Sequence, residues 1–353
     1  MPVSLASLTD LAALDFDEIL DVRSPAEYAE DHIPGAISLP ILSNEERARV
    51  GTIYTRQSPF LARKIGAALV ARNAAMHIET ALADKPKSYR PLVYCWRGGQ
   101  RSGSFALILG QIGWRAETIE GGWRSYRRLV QEALYDQPWP APAVLLDGNT
   151  GTAKTEILGL LRAAGVQVLD LEGLANHRGS LFGAMPGGQP AQKGFETALA
   201  MARAALDPLR PVVIEAESSK IGHLNLPRGL WEAMKAAPRL ELSVPLAARA
   251  AYLARRYRDV TDDPARLLAT IDGLAPQHPR GRIEAWRALA AEGAFETLAA
   301  GLMADHYDPR YGRQRARFED RPTRRVTLDG LDPAALAAAL PGLMAEIDAL
   351  AQL

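Results

Sequence analysis

Residues 144–158 read VLLDGNTGTAKTEIL, an apolar run that breaks into a turn rich in glycine, threonine and lysine and resumes with helix-forming residues. Val144 to Asp147 has the length and apolarity of a buried strand, and the residues from Lys154 onward carry helical periodicity. Between them Gly148, Asn149, Thr150, Gly151, Thr152, Ala153, Lys154 and Thr155 nearly fit the pattern GxxxxGK[ST]. In such a loop successive backbone N–H groups and the lysine cradle phosphates, while the hydroxyl reaches a metal ion. Ala153 stands where the pattern has glycine. A methyl group there crowds the phosphate path or alters the loop backbone, so the loop is expected to keep diphosphate binding more readily than Mg-ATP hydrolysis.

Downstream, Val166–Leu169, Pro211–Ile214 and Leu240–Val244 are short apolar runs between amphipathic helices, the pattern of a parallel sheet covered by helices. The second run continues as PVVIEAESSKIG, which puts Glu215 or Glu217 where a carboxylate beside the loop orients a metal ion or water; a solvated strand end explains the same residues. From Leu246 the chain reads as mainly helical, and its Ala-rich end reads as a helix broken at Pro341. Upstream, DQPWPAPA (136–143) has three prolines in eight residues, the composition of an extended connector. Before it, strands near Glu18–Val22, Pro91–Cys95 and Ala116–Ile119 alternate with helices, one of them starting near Ser102. The expected fold is therefore α/β, with one domain over residues 1–137 and a second, P-loop NTPase-like parallel-sheet domain over 138–353 that ends in a helical, Arg-rich extension.

A length of 353 residues suits two domains, and 48% hydrophobic with 23% charged residues excludes a disordered or fibrous chain. The first twenty residues lack the basic and apolar regions of a signal sequence, and no run is expected to reach the roughly 18 apolar residues of a membrane span; the expected location is cytoplasmic. Lys plus Arg equals Asp plus Glu, 41 against 41, so net charge does not announce a nucleic-acid partner. A single cysteine, Cys95, excludes an intrachain disulfide, a multi-cysteine zinc site and an internal resolving thiol.

Cys95 lies in YCWRGGQRSGS, after an apolar strand and before a helix. Backbone N–H groups and a helix N-terminus favour negative charge at that position, Arg97 and Arg101 add positive charge, and Gly98 and Gly99 let the backbone curl around the sulfur. These features lower a thiol pKa and produce a thiolate nucleophile. A buried, inert cysteine at a strand end is the alternative.

The N-terminal part, about residues 10–135, resembles a rhodanese domain through DVRSPAEYAEDHIPGAI, which starts at Asp21, and through the loop Cys95–Arg101 followed by Ser102. The resemblance implies Cys95 as carrier of sulfur or selenium, with Arg97, Arg101 and the loop amides stabilising the terminal anion. Asp21 and Arg23 read as a buried ion pair, and His32 as a turn-packing residue. Both halves together resemble tRNA 2-selenouridine synthases, on LSNEERARVGTIYTRQSP, YCWRGGQRS, GNTGTAKT, ANHRGSLFG, ESSKIG and YDPRY. Ala153 and Ala216 depart from that family's pattern and bear on metal-dependent phosphate chemistry.

That resemblance implies conversion of wobble-position 2-thiouridine to 2-selenouridine in two stages. Geranyl diphosphate first alkylates the sulfur, and selenium from selenophosphate then displaces the geranylthio group, with Cys95 as selenium carrier. No tightly bound cofactor is implied, and magnesium is a candidate. For the tRNA partner the sequence offers Arg255 and Arg256 near Arg249 and Arg258, and Arg313, Arg315 and Arg317 within a second cluster from Arg310 to Arg325; solvated helix faces explain such runs equally. Tyr252, Tyr257, Tyr307 and Tyr311 are candidate stacking surfaces for bases. His177 and Arg178 either reach a phosphate or cap a loop. Two other functions fit the same motifs, an ATP-dependent sulfurtransferase acting on RNA or a small acceptor, and a non-catalytic RNA-binding scaffold.

Overall fold

The computed structural model describes residues 2–318 and 320–353, which fall into two compact units, one of residues 1–138 with 190–205 and one of 139–189 with 206–353. In the first unit, β1 (Glu18–Asp21), β2 (Ile37–Ser38), β3 (Pro91–Tyr94) and β4 (Glu117–Thr118) form a parallel sheet in the order β2-β1-β3-β4. β3 is buried along its whole length, as its unbroken apolar sequence requires of a central parallel strand. Leu20 and Val93 of this sheet share one core with Phe105 and Leu109 of the helix Gln100–Ile112. Ser43 and Glu46 exchange backbone-to-side-chain hydrogen bonds of 3.2 and 3.0 Å, capping the helix Asn44–Arg56.

The helix Gln192–Ala204 also belongs to the first unit, although its sequence lies far beyond the proline-rich connector. Its Glu196 carboxylate accepts from Arg127 and, at 2.8 Å, from the Tyr135 hydroxyl, and Lys193 reaches Glu30 at 2.6 Å.

The second unit is built on β5 (Ala143–Gly148), β6 (Gln167–Leu169), β7 (Val212–Glu215), a hairpin of β8 (Lys220–Ile221) and β9 (Leu224–Asn225), β10 (Arg239–Ser243) and β11 (Thr323–Thr327). The main sheet runs β11-β10-β5-β7-β6 and is parallel throughout. β5 is therefore central, and the phosphate loop hangs from its carboxyl end, the edge at which open α/β sheets bind ligands. Helices between residues 246 and 315 form a further core around Leu267, Ile271, Trp286 and Leu298.

The C-terminal region is mainly helical as expected, with one strand, β11, that closes one edge of the sheet; the exposed Arg324 and Arg325 on TRRVT hide a strand whose charges protect an open edge. Two other expectations about this region are corrected. Pro341 does not break the last helix, which runs unbroken from Pro333 to Ala351. An interior proline costs about 3 kcal/mol, whereas burying Leu336, Leu343, Ile347 and Leu350 against the sheet returns about 1.5–3 kcal/mol each. The same helix is long and apolar enough, by length and composition, to cross a membrane, so a run of that kind is present. Here those four side chains pack into the core of the second unit.

Candidate functional site

Cys95 follows the last residue of β3, and the next four residues curl beneath the turn Glu120–Gly122 that leads into the helix Trp123–Gln131. Trp123 N–H donates to the Cys95 carbonyl at 2.8 Å, fixing that approach. Only glycine fits the crossing. Gly98 has φ +63°, and a Cβ on it would stand 2.5 Å from the Ile119 carbonyl; Gly122 has φ +59°, and a Cβ on it would overlap the Cys95 carbonyl and the Gly98 nitrogen.

The sulfur lies at the bottom of this loop, with Cys95 only 3% exposed. Ser102, fully buried in the first turn of the following helix, donates its hydroxyl to Sγ at 3.2 Å. Burial pushes the thiol pKa up, but the Ser102 hydroxyl and amide, the Arg101 charge and the Arg97 amide outweigh it, and the net displacement is downward. Arg97 is exposed and contributes through its backbone. Arg101 is held at 2.8 and 3.3 Å by Glu27. Burial acts upward on Glu27, yet its bonds to Arg101 and the Ser24 amide bring its pKa down to about 2, so the pair stays ionised and Arg101 remains fixed near the sulfur.

Asp21 and Arg23 form a buried ion pair, with Arg23 Nε 3.0 Å and Nη2 2.6 Å from the carboxylate and the Tyr94 hydroxyl donating at 2.7 Å. This brace ties the ends of β1 and β3 together directly below the cysteine loop. His32 stacks on Tyr28 at 3.9 Å and bonds its carbonyl, a packing role in the turn.

In the second unit, Ala153 adopts the left-handed backbone, φ +57° and ψ +29°, that glycine would supply, and caps the helix Lys154–Ala163. The side chain is buried with Ile157 and Leu158 in the sheet core. Of the two effects expected from this alanine, a changed loop backbone is not seen, because Ala153 itself takes the left-handed conformation at the start of the helix, at a cost of about 1–2 kcal/mol in backbone strain. Lys154 Nζ donates to the Gly148 carbonyl at 2.9 Å and lies 5.7 Å from the Tyr311 ring. Residues 150–155 face a cavity of about 150 Å³, which His177, Arg178 and Glu172 also line. Arg178 is anchored to Asp259 at 3.0 Å and over the Tyr257 ring, while its Nε and Nη1 are buried without partners.

The carboxylate facing the loop is Glu172, a residue the sequence reading did not single out; its Oε2 accepts from Thr155 Oγ1 at 3.3 Å. Glu215 lies at the end of β7, buried, and accepts from the Glu172 amide. Glu217 shares a proton-mediated contact with Glu172. Burial first, and then mutual repulsion among these acids, raises the pKa values of Glu215 and Glu217, and burial raises Glu172 against the pull of Lys154. Among the described residues no three His, Cys, Asp or Glu side chains are placed to hold a metal ion by themselves. One hydroxyl and one carboxylate, Thr155 and Glu172, are nevertheless what a magnesium ion needs from protein when diphosphate oxygens and water complete its shell.

Residues 4–129 match the family model of the rhodanese-like domain, and residues 141–273 match that of the tRNA 2-selenouridine synthase AAA domain. A tRNA 2-selenouridine synthase of Alcanivorax borkumensis is 31% identical over 328 residues, spanning 83% of this chain and 88% of that protein. The same-named protein of Pseudomonas fluorescens is 32% identical over 345 residues, spanning 89% and 94%, and that of Aeromonas salmonicida is 35% identical over 254 residues, spanning 70% and 67%. The chain belongs to the tRNA 2-selenouridine synthase family.

Family membership does not make every arginine of this synthase-family chain a free cation. Arg315 is partly exposed and pairs with Glu241 and Asn149 within the second unit. Arg256 is exposed but pairs with Glu156 at 3.0 Å, and Arg249 is buried in a two-pronged bond to Asp308. Arg255, Arg313 and Arg317 are exposed. The four tyrosines are likewise not an exposed stacking platform. Tyr252 bonds Glu156, Tyr307 is buried, and Tyr257 and Tyr311 line the cavity at the phosphate loop. His177 and Arg178 do reach that cavity. No local signal in the sequence marked Glu172, because it acquires its role from a partner brought in by the fold.

Proposed function

We propose that this protein converts 2-thiouridine in tRNA to 2-selenouridine through S-geranyl-2-thiouridine. The observation that carries the reading is the pairing, in one chain of this family, of a thiol held in an amide cradle with a lysine-bearing phosphate loop of intact geometry. In the first step the thiocarbonyl sulfur attacks C1 of geranyl diphosphate. The C1–O bond breaks, its electron pair leaves with diphosphate, and the N3 proton passes to solvent. Lys154 turns from the Gly148 carbonyl to the departing oxygens, and the amides of Gly151 to Ala153 hold the same charge, which is electrostatic stabilisation of a leaving group. Magnesium, held by Thr155 and Glu172, would neutralise part of the diphosphate charge.

In the second step the loop of Cys95 handles selenium. Selenium in selenophosphate is already at the selenide level: its attack at C2 expels geranylthiolate, and water then takes the phosphoryl group as phosphate. Carriage on Cys95 as a perselenide reaches the same product but removes two electrons on loading and returns two on release. With one cysteine in the chain, an external oxidant and an external thiol must complete that cycle.

The test is to incubate the purified protein with 2-thiouridine tRNA, geranyl diphosphate and selenophosphate and to identify the wobble nucleoside by mass. Cys95→Ser is expected to accumulate the geranylated nucleoside, and Lys154→Ala to form neither product. Equal loss of both steps in a folded Cys95→Ser protein contradicts the division of labour. Release of ADP from ATP, without diphosphate from geranyl diphosphate, points instead to an ATP-dependent sulfurtransferase. Protein-bound selenium on Cys95, seen as a mass increment, decides the carrier role.

A further inference from the structure

Between Arg47 and Ile78 the sequence carries six lysines and arginines and no aspartate or glutamate, in a chain whose charges cancel overall. The stretch folds as two helices of the first unit, Asn44–Arg56 and Pro59–Glu79, joined by Gln57 and Ser58 alone. Burial of Ile53, Leu69, Val70 and Ala74 fixes their inner faces and leaves the cations outside. Arg47 and Arg72 are paired, with Glu27 at 3.7 Å and Glu46 at 2.5 Å. Arg49, Arg56, Arg63 and Lys64 are exposed and have no carboxylate partner among the described residues. Two rings stand with them that the core does not use, Phe60 at 76% exposure and Tyr54 at 50%. Spacings of three and four residues put Phe60, Arg63 and Lys64 on one face of their helix, and a spacing of seven puts Arg49 and Arg56 on one face of theirs. An ordinary solvated surface mixes both signs of charge and exposes few such rings.

The hairpin also begins at the cysteine loop. Glu27, which holds Arg101 beside the sulfur at 2.8 Å, is the carboxylate that meets Arg47. From Arg47 the helix climbs about 14 Å to Arg56, at about 1.5 Å per residue, so the unpaired cations form a track leading away from Cys95. We propose that this hairpin holds the RNA strand flanking the nucleoside presented to Cys95; the proposal rests on the reading of tRNA as substrate. The four free cations meet backbone phosphates, and unpaired bases stack on Phe60 and Tyr54, the two-part chemistry by which single-stranded RNA is held. The origin of the track at the loop favours RNA over an anionic bilayer, which offers the cysteine no acceptor.

The test is to titrate tRNA carrying 2-thiouridine into the full-length protein by fluorescence anisotropy, between about 0.1 and 1 M salt. Arg63→Gln with Lys64→Gln removes two phosphate contacts; at about fivefold per phosphate it is expected to raise Kd about 25-fold at the lowest salt and to reduce the salt slope by about 1.4. Phe60→Ala is expected to raise Kd about fivefold or more with the slope unchanged. Lys87→Gln with Arg115→Gln removes the same charge from exposed residues at the opposite end of the sheet, and is expected to raise Kd less than about threefold. Thiol labelling of Cys95 without RNA is expected to be unchanged in every variant, and a changed rate overturns a direct contact with RNA. Equal weakening by the two double variants refutes the hairpin site while tRNA binding stands. If the parent binds no tRNA, the tRNA reading itself fails. Binding of phosphatidylserine vesicles that is lost in Arg63→Gln with Lys64→Gln, at unaltered tRNA affinity, makes the partner a bilayer and overturns the proposal.

Discussion

Removing one hydroxyl should make Cys95 less reactive at low pH and more reactive at high pH. Ser102 Oγ donates to Sγ at 3.2 Å and lies 3.4 Å from the Gly99 carbonyl, so in the thiolate form this donor is shared between a full charge and a neutral oxygen. A hydrogen bond to a charged group contributes about 1.5–3 kcal/mol, and Ser102→Ala therefore lowers the thiolate fraction at acidic pH by about 10- to 100-fold. The thiolate that remains is more basic and intrinsically more nucleophilic, with a sensitivity of about 0.4–0.5 per logarithmic unit in exchange with a disulfide or thiosulfonate. The two effects combine to make the variant about 4- to 20-fold slower below both titration midpoints and about 3- to 10-fold faster above them.

Methyl methanethiosulfonate is a small reagent for the assay, and Cys95 is the only thiol that can react. Because the sulfur is almost fully buried, loop opening multiplies every rate by the same factor, and that factor cancels in the ratio of variant to parent at each pH. Rates are measured from pH 5 to pH 10, with circular dichroism as the check on folding. A crossing of the two rate profiles is the expected result. A constant ratio at all pH values, in a folded variant, shows that Ser102 controls access and not charge, and refutes the electrostatic account of this site.

Gly122→Ala forces a Cβ into the Cys95 carbonyl at a positive φ, so it should lose several kcal/mol of stability, about 2 or more, and Cys95 labelling should become non-specific and fast; chemical denaturation and labelling together check this. Ala153→Gly relieves about 1–2 kcal/mol of left-handed strain but gives up about 0.8 kcal/mol of methyl burial and about 0.4–1 kcal/mol of chain entropy. Its melting temperature should therefore stay within a few degrees of the parent, with diphosphate affinity within about twofold; a tenfold gain in affinity would show that the methyl obstructs the phosphates. Glu217 is an acid whose folded-state pKa is raised, by burial and then by Glu172, so the folded protein holds the extra proton above the ordinary value of 4.5. Stability should accordingly fall as pH rises from about 5 toward 8 and fall less in Glu217→Gln, as read from urea midpoints; identical slopes in the two proteins would remove the shared proton from the account.

What could be read from the sequence and what could not divides along a physical line. The cysteine loop and the phosphate loop are each made by contiguous residues whose backbone sets the shape of the loop, so Gly98, Gly151, Lys154 and Thr155 are recognisable from spacing alone. Glu172 arrives from the short helix after β6, Ser102 acts through a sulfur seven residues away, and Tyr257 and Tyr311 come from the helical region far along the chain. Spacing carries no record of such convergence. Within the arginine clusters the ion pairs are hidden for a related reason. Arg249 and Arg315 look free in sequence because Asp308 and Glu241 are 59 and 74 positions away. Helix 192–204 joins the first unit through Glu196, a charge with no local mark of being buried.

The two proposed anion sites balance charge in opposite ways, and this bears on how each would load. At Cys95 the acid Glu27 is fully ionised and its positive partner Arg101 is fixed, so an anion on sulfur meets amides, one hydroxyl and a cation whose charge is already half committed. Nothing there must titrate for the thiolate to persist. At Lys154 the neighbours are Glu172 and Glu217, buried deeply enough that both hold protons more tightly than free carboxylates. A diphosphate entering beside Glu172 meets either that carboxyl in its neutral form or a cation bridging it to Thr155, because two like charges at such a distance repel strongly in a poorly hydrated cavity. Binding of inorganic diphosphate without magnesium should therefore weaken as pH rises, while binding with magnesium should not, and equal pH dependence in the two titrations would place Glu172 outside the phosphate site.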